Sequence, residues 1–402
     1  MKTRLQISNS NNPIPIVFIN SHPIQYFAPL YQYMNKRGLS TSCWYCSDEN
    51  VKGHLDRQFG VNVAWDIPVL EGYSFRFFKN YSWKASIYNG FFGLINPGMI
   101  RALLTEPKSI IVVHGWAYLT HILVLIFARV AGHTVCLRGE SPLNQELLKS
   151  KKARLLKRII LQHFLFRFVH KFLYIGTQNK AFYAYYGVKD SKLVFVPYAV
   201  NNEYFLKAAE QLRPRKAELR SQLGLPLQSH IILFAAKYIK KKRPLDLLEA
   251  YKRLQGSNNN ACLVMVGDGE LRDAMENFVC QHKLQQVYLT GFINQRDIVK
   301  YYALADVFVL CSGTDDTWGL SVNEAMNFDL PVIVSSLAGC SGDLVEEGKN
   351  GFISKPGDAA DLENKIRDAI HLDGKRGRDI LKTYSFHTIV DSFLLVRVEE
   401  KA

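Results

Sequence analysis

At 402 residues and 48% hydrophobic composition, the chain is long enough for two domains of roughly 200 residues, each with its own core. Its 50 Lys/Arg outnumber 36 Asp/Glu for a net charge of +14, so a polyanionic partner has to be considered. Seven cysteines, odd in number and mostly inside apolar stretches, exclude a disulfide framework and fit thiols used as small hydrophobes in a cytoplasmic chain.

Met1 to Asn12 is polar, so no signal peptide is expected. Ile16-Val17-Phe18-Ile19 reads as the opening strand, followed by the segment from Ser21 to Leu30 that contains His22 and Gln25. Ser42-Cys43-Trp44-Tyr45-Cys46 reads as another strand. Its two cysteines lack the further ligands nearby that a metal site would need. Ser109 to Val113 is a third strand and leads into His114. The longest apolar run, Leu119 to Ala131, is interrupted by His121 and Arg129 and is too short to span a bilayer.

Charge is unevenly distributed. Residues 1–200 hold 24 Lys/Arg against 9 Asp/Glu, a net of +15, whereas residues 201–402 net −1. The excess peaks between Leu147 and Lys189, a window of ten basic residues and no acid. There Lys151, Arg154, Lys157 and Arg158 share one helical face, and Leu148, Leu155, Leu156 and Ile159 lie near the opposite one. The expectation is that the leucines pack on the protein's own core. The basic face is then either solvated or turned to anionic lipid. Nucleic acid is the other polyanion, but no recognisable nucleic-acid module accompanies the charge.

Pro197 to Asn202 marks a linker, and a second alternation of strand and helix begins beyond it. Ile231 to Ala236 is a buried-strand pattern running into Lys237, Lys240, Lys241, Lys242 and Arg243. Leu245, Leu247, Leu248, Ala250 and Leu254 then repeat with helical spacing. Ala261 to Val266 and Val287 to Ile293 are the next strands, with a helix over 270–279 between them. Gly267-x-Gly269 lacks the third glycine of a dinucleotide fingerprint and follows an internal strand, which argues against NAD. Asp315 to Met326 places Asp316 in a loop, a turn at Gly319 and Glu324 near a helix start, ahead of the strand Pro331–Val334. Two carboxylates beside the N–H groups of a helix start suit a ligand with both hydroxyls and phosphates. Ser385 to Val398 closes the chain as an amphipathic tail.

Asp316-x7-Glu324 and Lys237-x4-Lys242, in this alternation, resemble the E-x7-E signature and the Arg/Lys-x4-Lys diphosphate clamp of retaining, GT-B-fold glycosyltransferases of family 4, bacterial surface-polysaccharide type. The chain departs from the pattern at Asp316 (usually Glu), Lys237 (often Arg) and Ala236 (often Gly). It also lacks the glycine-rich loop common after the first strand. The resemblance implies an α/β architecture of two Rossmann-like doubly wound domains facing each other across a cleft. Residues 1–200 would bind the acceptor and 201–384 the donor, and 385–402 would form a helix crossing back onto the first domain. It implies a nucleotide-diphosphate sugar as donor, a glycan or lipid-linked acceptor, no cofactor and no catalytic metal. Glu324 would hold the ribose, Asp316 the donor sugar, and Lys237, Lys242 and the N–H groups around Gly319 and Leu320 the diphosphate. Gly291 and Phe292 would lie along the base. His114 would face the donor sugar by its place at a strand end, and the segment with His22 and Gln25 matches a bacterial subgroup of the family.

Simpler accounts exist for each feature: two surface acids round a loop, a solvated lysine cluster, a structural histidine. Three other functions remain open on the sequence: a sugar-nucleotide binder without turnover, a polyanion binder, and an inverting enzyme with a base in the first domain.

Overall fold

The computed structural model describes residues 14–49, 51, 54–56, 61–63, 66–256 and 260–399. Met1 to Asn12, where no signal peptide is expected, lies outside the described residues.

The first domain contains β1 (Ile16–Asn20), β2 (Thr41–Tyr45), a separate antiparallel pair β3 (His54–Asp56) and β4 (Val61–Val63), then β5 (Ser74–Phe77), β6 (Ile110–His114), β7 (Thr134–Arg138), β8 (Lys171–Tyr174) and β9 (Leu193–Phe195). Seven of these form one parallel sheet in the order β5-β2-β1-β6-β7-β8-β9. The second domain contains β10 (His230–Ala235), β11 (Ala261–Val266), β12 (Val287–Leu289), β13 (Val307–Leu310), β14 (Val332–Ser335) and β15 (Gly351–Ser354). They form a second parallel sheet in the order β12-β11-β10-β13-β14-β15. Strands covered on both faces read as unbroken apolar runs, which is why β11 is buried at all six positions. Strand order reverses between β1 and β6 in one sheet and between β10 and β13 in the other. Ligands of doubly wound sheets bind in the crevice at such a reversal, beyond the carboxyl ends of the strands. The expected fold class holds: two Rossmann-like domains facing each other across a cleft.

The last helix, Phe386–Glu399, leaves the second domain and packs on the first. Phe386, Ile389, Val390, Phe393 and Val396 join one core with Ile16, Phe18 and Ala28. Ser392 Oγ donates to the Phe195 carbonyl at 2.6 Å, and Arg397 Nη2 to the Ile14 carbonyl at 2.7 Å.

One expectation is reversed. In the helix Lys151–Ile159 no residue is buried, and Leu155, Leu156 and Ile159 point to solvent, as does Leu148 just before it. The inward side is basic. Lys157 Nζ donates to the buried Glu146 carboxylate at 2.8 Å and lies 4.8 Å from the Phe182 ring centre. The Arg158 guanidinium stacks 4.8 Å over Tyr185. A buried carboxylate needs a cation more than the core needs another leucine, and the long cationic stems supply packing of their own.

Candidate active site

At the carboxyl end of β10 the chain runs through Lys237 into a short 3-10 turn, Lys240–Lys242, then the helix Pro244–Gln255. At the carboxyl end of β13 it passes through the loop holding Asp315 and Asp316 into the helix Leu320–Met326. Asp315 sits at φ 69°, a left-handed conformation that aspartate tolerates. Gly319 sits at φ 108°, and a Cβ there would come within 2.6 Å of Leu310. Glycine is therefore needed at that turn. Both segments flank the strand reversal and face a cavity of about 600 Å³.

Both domains line it. From the second come Lys237, Lys241, Lys242, Phe292, Asp316, Gly319, Leu320 and Glu324. From the first come His22, Gln25 and Tyr26 after β1, with Ile87, Tyr88, Tyr118 and Tyr198. Two of the expected residues lie elsewhere. Gly291 is outside the lining, in a left-handed turn whose carbonyl accepts from Gly267 N–H at 3.0 Å. His114 does end β6, but its ring is held edge-on by Phe27 at 4.7 Å and Phe18 at 5.8 Å, outside the cavity lining. Neither of its ring nitrogens has a hydrogen-bond partner among the described residues. Burial, then the charge of Arg138 and the nearby His121, hold its pKa well below the ordinary histidine value, so the ring is neutral at pH 7.

At the centre, Lys242 Nζ meets Asp316 Oδ2 at 2.5 Å. Burial pushes the Asp316 carboxyl up, but Lys242, Ser312 and Lys241 outweigh it and hold the group below its ordinary value. Among the described residues Glu324 has no cation beside it. Tyr302 Oη donates to one of its oxygens at 2.7 Å and Gln295 Nε2 to the other at 3.1 Å, and Tyr26 of the first domain also bonds to it. Desolvation outweighs these three donors and the carboxyl is pushed up to about 7. One acid of the motif is thus firmly ionised, and the other changes charge near neutral pH.

Sequence reasoning did not single out Tyr302, Gln295 or Gln145. Tyr302 lies in the apolar periodicity of the helix Gln295–Leu304, where a tyrosine looks like core. Gln145 bridges the domains. Its Nε2 donates to the carbonyls of Asp316 (3.0 Å) and Leu337 (2.7 Å), and its Oε1 accepts from Asp315 N–H at 3.0 Å. No local pattern announces such a contact. Gln145→Ala should loosen the cleft and weaken binding of a ligand held between the two domains about tenfold, since each net hydrogen bond contributes about 0.5–1.5 kcal/mol. Calorimetric titration measures the affinity, and small-angle scattering should show a larger radius of gyration.

Residues 215–384 match the family model described as "Glycosyl transferases group 1". Alpha-monoglucosyldiacylglycerol synthase of Acholeplasma laidlawii is 29% identical over 198 residues, covering 49% of this chain and 47% of that protein. Spore coat protein SA of Bacillus subtilis is 31% identical over 198 residues, covering 46% of this chain and 50% of that one. The chain thus matches about half the length of each of these two relatives. Among solved structures, Anabaena Alr3699/HepE in complex with UDP and glucose superposes with a TM-score of 0.69 at 15% identity, covering 96% of this chain and 100% of that one. The structural likeness extends over both domains and establishes a GT-B fold, and within it residues 215–384 match the model of the group 1 glycosyl transferases.

Proposed function

We propose that the protein transfers a sugar from a nucleotide-diphosphate sugar to a glycan or lipid-linked acceptor, with retention of anomeric configuration. The observation that carries this reading is the Lys242–Asp316 contact, buried in the cleft at the strand reversal. Cleavage of a sugar–phosphate bond leaves negative charge on the diphosphate and positive charge on the sugar ring. A cation and a carboxylate side by side match the two ends of that bond. Lys237 and Lys241 add fixed charge for the diphosphate, and the turn at Gly319 and Leu320 lies on the same wall. Glu324, farther along that wall, takes the ribose, and Phe292 the base. An inverting reaction would need a base on the acceptor side. The described first-domain lining offers no carboxylate and one histidine, His22, whose Nδ1 shares a hydrogen bond with Ser21 Oγ at 2.9 Å. The lack of a carboxylate among these described residues favours retention, and His22 is the group an inverting route would use.

The cavity volume suits a nucleotide sugar. Because Alr3699/HepE was solved with UDP and glucose, UDP-glucose is the first donor to try, followed by GDP- and ADP-sugars in a thermal-shift screen. The Acholeplasma relative is named for a glucosylated diacylglycerol, which makes a lipid acceptor the first class to test. We place the protein at the cytoplasmic face of a membrane, contacted through residues 147–189. Product with the donor's anomeric configuration supports the proposal. An inverted product overturns retention, and a stabilising nucleotide sugar that is neither transferred nor hydrolysed reduces the protein to a binder. Salt-sensitive binding to DNA with no response to any nucleotide sugar would replace the reading altogether.

A further inference from the structure

The segment from Leu147 to Phe164 carries a run of exposed large apolar side chains outside the cleft. Leu148, Leu155, Leu156 and Phe164 are 63%, 60%, 60% and 70% exposed, and Ile159 and Ile160 lie between them. Residues 155, 159 and 156, 160, 164 recur at i+4, so the side chains form one continuous face. The helix Lys151–Ile159 runs directly into a wider π-helical turn, Ile160–Leu165, which buries Leu161 and Leu165 and leaves Phe164 outside. The opposite side is fixed to the domain by the Lys157–Glu146 ion pair and by Tyr186 Oη, which donates to the same carboxylate at 2.7 Å. Arg154 Nη1 reaches Tyr185 Oη at 3.5 Å. The face is thus held rigidly outward.

We propose that Leu147–Phe164 is an in-plane anchor whose leucines, isoleucines and phenylalanine enter the acyl boundary of an anionic bilayer. Charge complementarity selects lipid as the occupant. Lys149, Lys151 and Lys152 at one end and Arg167 at the other are exposed beside the apolar face, and the window 147–189 contains no acid. Apolar insertion combined with flanking lysines is how interfacial helices bind anionic membranes. Among the described residues no helix is long and apolar enough to cross a membrane, so the segment lies in the surface plane. This deepens the membrane contact proposed above and moves its main source from the lysines to the leucines. It stands or falls without reference to turnover. Its start is two residues after Gln145, so a docked helix also sets the cleft beside the lipid surface.

The test is co-sedimentation of the full chain with vesicles of phosphatidylcholine alone and of phosphatidylcholine with phosphatidylglycerol. The expected result is strong binding to the anionic vesicles, reduced but not abolished by salt, because salt screens charge and not apolar insertion. Leu155→Gln/Leu156→Gln/Ile159→Gln should lower the bound fraction about tenfold or more on both vesicle types. Its melting temperature should not fall, because none of the three side chains is buried. Lys151→Glu/Lys152→Glu should bring anionic binding down to the neutral-vesicle level. Absence of vesicle binding by the unaltered chain overturns the proposal, as does undiminished binding by the triple variant. A lipid-free dimer that the triple substitution converts to monomer, with vesicle binding unchanged, would assign the face to a second copy instead.

Discussion

Replacing Lys242 by alanine should lower kcat by about ten- to a thousandfold, the range seen when one preorganised charge is removed from a transition state. Two consequences of the same contact have to be separated. The substitution removes positive charge from the leaving diphosphate and strands the buried Asp316, whose pairing is the reason its carboxyl stays ionised. Removing one partner of a buried pair typically destabilises by about 3–5 kcal/mol. The double variant Lys242→Met/Asp316→Asn leaves no stranded charge and should regain most of the melting temperature while remaining inactive. If the double variant regains activity along with stability, Lys242 acts only through the fold. A change confined to KM would mean uniform binding of ground and transition states and would remove the leaving-group role. Asp316→Glu sharpens the question of the shorter acid. The pair is already at 2.5 Å in a buried setting, so an added methylene must displace Lys242 or fold back, and turnover should fall.

How far the sequence reached depends on how local each cause is. Strand, basic turn and helix follow one another within about twenty-five residues at Ile231–Leu254, and the loop, helix and strand of Asp315–Val334 are equally compact. Both segments could be read because apolar runs and periodicity are local signals. The parallel sheets followed from the alternation of elements. Side-chain direction did not follow. A helical wheel divides Lys151–Ile159 into a basic and an apolar face but does not say which one is inside. That is decided by Glu146, Tyr185 and Tyr186, which other parts of the chain bring up. His114 ends its strand as the pattern indicates, yet Phe27, from the helix after β1, captures its ring. Glu324 is visible in its motif, whereas Tyr302, Gln295 and Tyr26 around it come from another helix and the other domain. Its pKa was therefore not legible.

That pKa leads to the second large effect. A carboxyl whose value is 4.5 unfolded and about 7 folded binds its proton more tightly in the folded protein. Stability therefore falls as pH rises from about 4.5 to about 7 and stays low above it, a cost on the order of 3 kcal/mol at alkaline pH. Glu324→Gln removes that cost. The variant should melt several degrees higher than the parent at about pH 8 and at nearly the same temperature near pH 4, where the parent carboxyl is mostly neutral in both the folded and the unfolded chain. Nucleotide binding should move the other way. A charged acceptor for ribose hydroxyls is replaced by a neutral amide, and a hydrogen bond to a charged group contributes about 1.5–3 kcal/mol, so affinity at pH 8 should drop about ten- to a hundredfold. Affinity of the parent for a nucleotide sugar should rise as pH passes through about 7, where Glu324 gains its charge and the diphosphate diester does not change its own. In the Gln variant it should be flat. Calorimetric titrations at several pH values, paired with thermal melts, measure both arms. A gain in stability without loss of affinity would mean that Glu324 is a buried structural acid and that the ribose is held elsewhere. A loss of both would mean that the carboxylate is needed to hold Tyr302, Gln295 and Tyr26 together, and that its ionised form is already compensated before any ligand arrives.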